Sequence, residues 1–156
     1  MNKDKLYIFD TTLRDGAQTQ GVDFSIDDKQ KISEALDSLG VDYIEGGWPG
    51  ANPTDTEFFN KDHNFKNAKL TAFGMTKKSE HSANNDPMLS SLINSKSSSI
   101  CLFGKSWDFQ VDIALGITNE QNLENISESA KHVVNSGKEF MFDACLLYTS
   151  PSPRDS

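Results

Sequence analysis

Charged and amide side chains lie close together near the start of the chain, in an order that suits the binding of a small anionic ligand. The segment contains Asp10, Arg14, Asp15 and Gln18. A carboxylate can ligate a divalent metal ion, and a neighbouring guanidinium can bind a substrate carboxylate or stabilise negative charge on an oxygen. An ion pair that only closes the end of a sheet uses the same residue types. From the residue pattern alone, the segment fits a functional and a structural interpretation equally well.

Other polar residues follow short apolar runs further along the chain. Glu45, Lys105, Asp108 and Asp143 each lie just after such a run. In α/β folds the carboxyl ends of parallel strands meet at one edge of the sheet, and functional sites lie there. We therefore predict that these residues converge with the first polar segment on one rim.

Five β-favouring runs alternate with segments of helical periodicity, which is the pattern of repeated βα units around a parallel sheet. The runs are Leu6–Phe9, Val41–Ile44, Leu70–Phe73, Ile100–Phe103 and Phe140–Phe142. The pattern fits either a doubly wound sheet or the opening part of a (β/α)8 barrel, and periodicity does not separate the two.

Four helices between these runs have recognisable ends. Capping boxes or an N-cap before proline mark their starts, and glycines mark two of their ends. The expected N-caps are Ser25, Asn52, Asp86 and Thr118, and the expected terminating glycines are Gly40 and Gly137. The last helix is expected to pack an apolar face on the sheet. That face consists of Leu123, Ile126, Ala130, Val133 and Val134.

Composition excludes several classes of protein. The chain has 156 residues, of which 36% are hydrophobic, and this predicts one globular domain. Its net charge of -8, without clustered Lys or Arg, argues against a nucleic-acid partner. The N-terminal apolar stretch is too short for a signal peptide or membrane span, so we expect a cytoplasmic protein without a membrane partner. Two cysteines, Cys101 and Cys145, give neither a disulfide framework nor metal-binding spacing.

The segment Asp10–Gln18, which reads Asp-Thr-Thr-Leu-Arg-Asp-Gly-Ala-Gln, resembles the signature of the DRE-TIM metallolyases. The segments Tyr43–Pro53 and Phe103–Asp108 are similar to the citramalate synthase branch of that family. The resemblance extends over roughly Lys5–Ala144. It implies an α/β fold, an incomplete TIM (β/α)8 barrel with about five βα units.

The resemblance also implies roles for particular residues. Asp15 matches the family's metal-binding aspartate, Arg14 its catalytic and substrate-binding arginine, and Glu45 the glutamate that supports them and is expected to be catalytic with Arg14. Gln18 matches the glutamine that ends the first motif. Gln18 and Lys105 are expected to bind substrate, Lys105 as a pocket-lining residue. The implied cofactor is a divalent metal ion, Mg, Mn or Zn, with acetyl-CoA as co-substrate. The enolate of acetyl-CoA would attack the ketone of pyruvate, and hydrolysis would release citramalate and CoA for isoleucine biosynthesis.

Several alternatives remain within and outside this family. A 2-isopropylmalate or homocitrate synthase would differ mainly in the 2-oxo acid that it accepts. A hydroxymethylglutaryl-CoA lyase would run the carbon-carbon bond step in reverse. A non-catalytic half-barrel is the least favoured alternative. The family resemblance implies a homodimer for the full-length enzyme.

Two features of the sequence depart from the family pattern. The family completes its metal site with a His-x-His pair, which this sequence lacks, and a TIM barrel needs about 250 residues and eight strands. We therefore expect residues 1–144 to be the N-terminal part of a pyruvate carboxyltransferase-like barrel, without turnover as written. Residues 145–156 are interpreted as translated sequencing-adapter sequence, the alternative being a native disordered Ser/Pro tail. The nucleotide sequence after the Ala144 codon would separate these.

Overall fold

Parallel strands form a single curved sheet in this computed structural model, which describes residues 5–145 except for the side chain of Cys145. Along the sheet, each strand pairs with the next in chain order. The strands are β1 Phe9–Asp10, β2 Tyr43–Gly47, β3 Lys69–Met75, β4 Ser99–Lys105 and β5 Glu139–Cys145. A doubly wound sheet would reverse direction at a switch point, whereas a barrel adds every strand on the same side. The strand order confirms the opening part of a barrel.

Helices connect consecutive strands, and four of the five described helices begin at the predicted caps. The helices are α1 Ile26–Leu39, α2 Pro53–Asn60, α3 Pro87–Asn94, α4 Asp108–Gln110 and α5 Asn119–Asn135. Ser25 and Thr118 form capping boxes, and the side chains of Asn52 and Asp86 accept backbone N–H groups at the starts of α2 and α3. The short α4 continues into a π-helical turn, which the sequence did not indicate.

The core lies between the sheet and the helices, and it fixes α2 against β2. The rings of Phe58 and Phe59 are fully buried, and each contributes roughly 2 to 3 kcal/mol through loss of apolar surface from water. A Cβ at Gly46 would lie 2.8 Å from Cε1 of Phe58. Gly46 therefore allows α2 to approach β2 closely, and this close packing positions the loop that joins them.

The predicted bounds of β1 were wrong. The strand begins at Phe9, and Leu6, Tyr7 and Ile8 are 83%, 57% and 53% exposed. β1 lies at one edge of the described sheet and pairs only with β2 there. The apolar run before Phe9 therefore has little surface to pack against among the described residues.

The predicted apolar face of α5 was also partly wrong. Leu123 and Val134 are 65% and 57% exposed, whereas Asn122, Asn125 and Ser129 are buried. These polar side chains form specific hydrogen bonds. The Asn122 amide donates to the carbonyl oxygen of Lys105 at 3.0 Å, the Asn125 amide donates to Ser79 Oγ at 2.8 Å, and Ser129 Oγ accepts the Lys77 N–H at 2.9 Å. These hydrogen bonds determine which side of α5 is buried, and the spacing of apolar residues in the sequence does not reveal them.

The predicted boundary at residue 144 lies almost at the end of the described region. The backbone of Cys145 ends β5, and the rest of the predicted tail, residues 146–156, lies outside the described residues. Both domain assignments stay predictions. Within residues 5–145, no helix is long and apolar enough to cross a membrane.

Asp37 near the end of α1 anchors the segment that leads into β3. Its carboxylate accepts the backbone N–H groups of Lys66, Asn67 and Ala68 at distances of 2.8 to 3.1 Å. Burial alone would raise the pKa of Asp37, but these donors hold the pKa below its ordinary value. The charged form is therefore the one that the fold stabilises.

Replacing Asp37 by Asn should lower the free energy of unfolding by about 2 kcal/mol at pH 7, because an amide satisfies these donors less well. The folded pKa lies below the unfolded value, so this contribution is present above pH ~4 and lost as the pH falls through the folded pKa. Urea unfolding at pH 7 and pH 3 measures both effects.

Glu124→Gln, at an exposed position of α5, is the matched control and should leave the urea midpoint unchanged at pH 7. A difference between wild type and Asp37→Asn that stays constant from pH 7 to pH 3 would contradict the assignment.

Candidate active site

A tight turn after β1 carries Arg14 and Asp15. The carbonyl oxygen of Thr11 accepts the N–H groups of Arg14, Asp15 and Gly16 at 3.1, 2.8 and 3.2 Å. The Asp10 carboxylate in turn accepts the N–H and the hydroxyl of Thr12. These local bonds satisfy the backbone groups of the turn and fix Arg14 and Asp15 at the carboxyl end of the strand.

Three groups hold the guanidinium of Arg14. Its Nε–H donates to Glu45 Oε2 at 2.7 Å, its Nη1–H donates to Asp15 Oδ1 at 3.0 Å, and its central carbon lies 4.0 Å from the centre of the Phe73 ring. Glu45 is 1% exposed, whereas the Asp15 side chain is 64% exposed. The guanidinium is therefore fixed by a buried carboxylate, an aromatic face and a carboxylate that faces solvent.

Glu45 is buried from solvent, and burial at this position affects two ionisable groups. Burial raises the pKa of Glu45, and the hydrogen bond and charge of Arg14 oppose that rise. Burial also raises the pKa of the Cys101 thiol to about 12, and the Glu45 charge adds to this effect. Cys101 is therefore a neutral thiol at physiological pH, and the charge of Glu45 depends on Arg14.

A pocket of about 620 Å³ opens beside this arginine. Arg14, Gln18, Asp143 and aromatic side chains line it. Trp48 meets Phe73 and Phe103 edge to face at 6.0 and 5.8 Å, and these two phenylalanine rings stack at 5.3 Å. The pocket thus combines an apolar wall with a few convergent polar groups, which is typical of small-molecule sites.

The structure brings together most, but not all, of the residues predicted from the sequence. Gln18 lines the pocket with Arg14, and Asp15 and Glu45 contact Arg14 from outside the pocket lining. Lys105 lines a separate groove with Asp108 and Phe142. The pocket therefore excludes both Lys105 and Asp108, which were expected to converge with the first polar segment. The substrate-binding role of Lys105 stays a prediction.

A metal centre is not complete within the described part of the chain. No three His, Cys, Asp or Glu side chains among residues 5–144, whose side chains the structure describes, are grouped closely enough to hold an ion. The exposed carboxylate of Asp15 fits as one ligand, because only its Oδ1 contacts Arg14 and carboxylate oxygens suit Mg, Mn and Zn.

Sequence reasoning missed a second buried ion pair beside the pocket, formed by Lys29 of α1 and Asp55 of α2. Both residues line the pocket, and their side chains are 4% and 12% exposed. In the sequence, Lys29 is one of several charged residues in α1, and Asp55 fits the acidic preference of a first helical turn. Neither local pattern indicates that the two residues meet.

The pattern of the HMGL-like family matches residues 5–153 of this chain. The chain is 50% identical to the (R)-citramalate synthase of Aquifex aeolicus over 143 residues, which are 90% of this chain and 27% of that protein. It is 33% identical to 2-isopropylmalate synthase 1 of Caldanaerobacter subterraneus, covering 92% of this chain and 36% of that protein. The chain thus spans about a quarter to a third of the length of these relatives.

Among solved structures, the HMG-CoA lyase of Bacillus subtilis is similar, with a TM-score of 0.73 and 15% identity. The match covers 98% of this chain and 52% of the lyase. At this identity the likeness concerns the fold, and it agrees with five strands of an incomplete TIM barrel. Since the family pattern extends over nearly the whole sequence, this chain belongs to the HMGL-like family.

Proposed function

We propose that this chain supplies the Arg14 site of an acyltransferase that condenses acetyl-CoA with pyruvate to form citramalate. The observation that carries the proposal is the fixed guanidinium of Arg14 beside a pocket with an apolar wall. The 50% identity to an (R)-citramalate synthase, against 33% to a 2-isopropylmalate synthase, supports pyruvate as the 2-oxo acid.

The reaction needs positive charge at one oxygen atom. The methyl group of acetyl-CoA loses a proton to a general base, and the resulting enolate carbon bonds to the ketone carbon of pyruvate. The ketone oxygen gains negative charge until it takes up a proton, and hydrolysis of the thioester then releases citramalate and CoA. Two of the five N–H donors of Arg14 bind Glu45 and Asp15, which leaves donors on a pocket-lining guanidinium for that oxygen. Donors fixed before the reaction stabilise such charge without reorganisation.

A divalent ion bound at Asp15 would act as a Lewis acid toward the 2-oxo acid. Asp15 supplies one ligand, and we infer that the others come from parts of the enzyme outside residues 5–145. Arg14 also donates to Asp15, so the same guanidinium orients the ligand carboxylate. Glu45 holds Arg14 in turn through its Nε–H.

The aromatic wall supports a small 2-oxo acid. Trp48, Phe73 and Phe103 contact one another edge to face or stacked, so the wall has little freedom to move away from a larger substituent. Phe73 also packs on the Arg14 guanidinium, which places the wall beside the proposed position of the ketone. A methyl group fits such a site more easily than an isopropyl group does.

The wider setting of the proposal follows from the family. We infer a metal-dependent, cytoplasmic enzyme of isoleucine biosynthesis that acts as a homodimer on small-molecule substrates. Gln18, which lines the pocket, is proposed to bind the 2-oxo acid.

Arg14→Lys, made in the complete gene product that contains this sequence, should lower kcat by about 100-fold or more. A lysine cannot bridge Glu45 and Asp15 while it stacks on Phe73, and loss of one such donor group typically costs 100- to 1,000-fold. Release of free CoA from acetyl-CoA and pyruvate, followed with a thiol reagent, measures the effect.

Lys31→Ala, at an exposed position of α1, is the control and should keep wild-type kcat. An Arg14→Lys enzyme that retained more than a tenth of wild-type kcat would remove Arg14 from the proposed role.

The wild-type enzyme should prefer pyruvate to 2-oxoisovalerate and 2-oxoglutarate by about 100-fold in kcat/KM, because a site with a fixed wall rejects larger substituents. The same CoA assay with each 2-oxo acid measures this ratio. Phe103→Ala removes a ring from the aromatic wall at a residue that does not contact Arg14. It should lower the ratio of kcat/KM for pyruvate to kcat/KM for 2-oxoisovalerate. No CoA release with pyruvate would overturn the proposed function.

A further inference from the structure

Lys29 is a buried cation for which the proposed reaction has no direct use. The residue is 3% exposed, and its ammonium group contacts three acceptors. It donates to the carbonyl oxygen of Leu13 at 3.0 Å, to the carbonyl oxygen of Gly46 at 2.8 Å, and to the carboxylate of Asp55. An ammonium has three N–H donors, so all of them are used within the protein.

The two carbonyl groups belong to the immediate neighbours of the proposed site residues. Leu13 directly precedes Arg14, and Gly46 directly follows Glu45. These segments are also joined by the pairing of β1 with β2, which places Asp10 opposite Ile44, and by the side-chain contact of Arg14 with Glu45. Lys29 thus links the backbone of the β1 turn to the backbone of β2, next to the side-chain contact whose geometry depends on both.

Asp55 extends this link to the wall of the pocket. Its second carboxylate oxygen accepts the backbone N–H of Trp48 at 2.8 Å and the side-chain amide of Asn52 at 2.9 Å. A Cβ at Gly47, whose φ is +136°, would lie 2.5 Å from Cγ of Asp55. Residue 47 must therefore lack a side chain for the carboxylate to occupy this position.

We propose that Lys29 is a positioning residue, which holds the backbone on both sides of the Arg14 and Glu45 contact so that the guanidinium is aligned for the reaction. This inference rests on the proposed function for its kinetic consequences. A fixed guanidinium acts mainly on the charge that develops in the transition state, so loss of Lys29 should affect kcat more than KM.

The chain offers a matched control at the opposite end of the sheet. The ammonium of Lys138 donates to the carbonyl oxygens of Ser95 and Ser97 at 2.7 and 2.5 Å, close to the starts of β4 and β5. Lys138 therefore shares the chemistry of Lys29, a partly or fully buried ammonium on two backbone carbonyls, but lies away from the rim. If such buried lysines were needed only for general stability, replacing Lys29 and replacing Lys138 should have the same effect.

Lys29→Met and Lys138→Met in the complete gene product form the first part of the test. Lys29→Met should lower kcat by about 10- to 100-fold with a change in KM for pyruvate below about threefold. Lys138→Met should leave kcat unchanged. A folded Lys29→Met enzyme with wild-type kcat would overturn the proposal.

A double-mutant cycle with Glu45→Gln separates positioning from a general loss of stability. If both residues act through Arg14, the kcat of the double variant should lie close to that of the less active single variant, because the same alignment cannot be lost twice. Fully additive effects would overturn the shared role. If Lys29→Met does not fold, Asp55→Asn, which keeps both carbonyl contacts possible, replaces it and should show a smaller loss in the same direction.

Hydrogen exchange measured by mass spectrometry gives a readout that does not need turnover. Lys29→Met should speed amide exchange in peptides covering residues 9–18 and 43–50, whereas Lys138→Met should speed it around residues 95–99. Unchanged exchange in the two rim segments would contradict the positioning role. Absence of CoA release by the wild type, with exchange changed as expected, would count against the proposed function alone.

Discussion

Two cations hold adjacent residues of β2, and the geometry of the rim depends on both. Arg14 binds the side chain of Glu45, and Lys29 binds the carbonyl oxygen of Gly46. Charges that leave water are stable only if every donor or acceptor finds a partner, since an unpaired buried charge costs several kcal/mol. The turn after β1 and the start of α2 must therefore lie where they satisfy these two cations.

The local parts of the fold were predictable because their causes are local. The capping boxes at Ser25 and Thr118, and the N-caps before proline, use contacts between residues three positions apart, which the sequence shows directly. Periodicity left two topologies open, and the strand order is the one that the family resemblance implied. The wrong bounds of β1 and the turned face of α5 have non-local causes: the position of a strand at an edge, and the partners of three polar side chains.

The site was predictable only as far as its residues follow strand ends. That rule placed Arg14, Glu45 and Asp143 in one region. It predicts where along the barrel axis a residue lies, but it does not predict which way the side chain faces. Lys105 lies at such an end and still lines another groove. Lys29 and Asp55 lie on two different helices and are 26 positions apart in the chain. No rule based on residue spacing predicts that they form a pair.

The balance of charge around the pocket explains why an exposed Asp15 suits the proposed reaction. Carboxylates outnumber cations among the described residues that line the pocket or contact Arg14. The cations are Arg14 and Lys29, and the carboxylates are Asp15, Asp23, Glu45, Asp55 and Asp143. A 2-oxo acid adds a further negative charge, which such surroundings repel at low effective dielectric.

Arg14 cannot offset this repulsion by charge alone, because Glu45 and Asp15 already compensate it. Under the proposed function, Arg14 contributes through the direction of its remaining N–H donors, so its alignment matters more than its charge. Under the proposed function, a divalent ion that binds together with the 2-oxo acid supplies the missing positive charge. Asp15 is the carboxylate beside Arg14 that solvent reaches. Under the proposed function, binding of the 2-oxo acid and binding of the divalent ion are therefore coupled, each making the other more favourable.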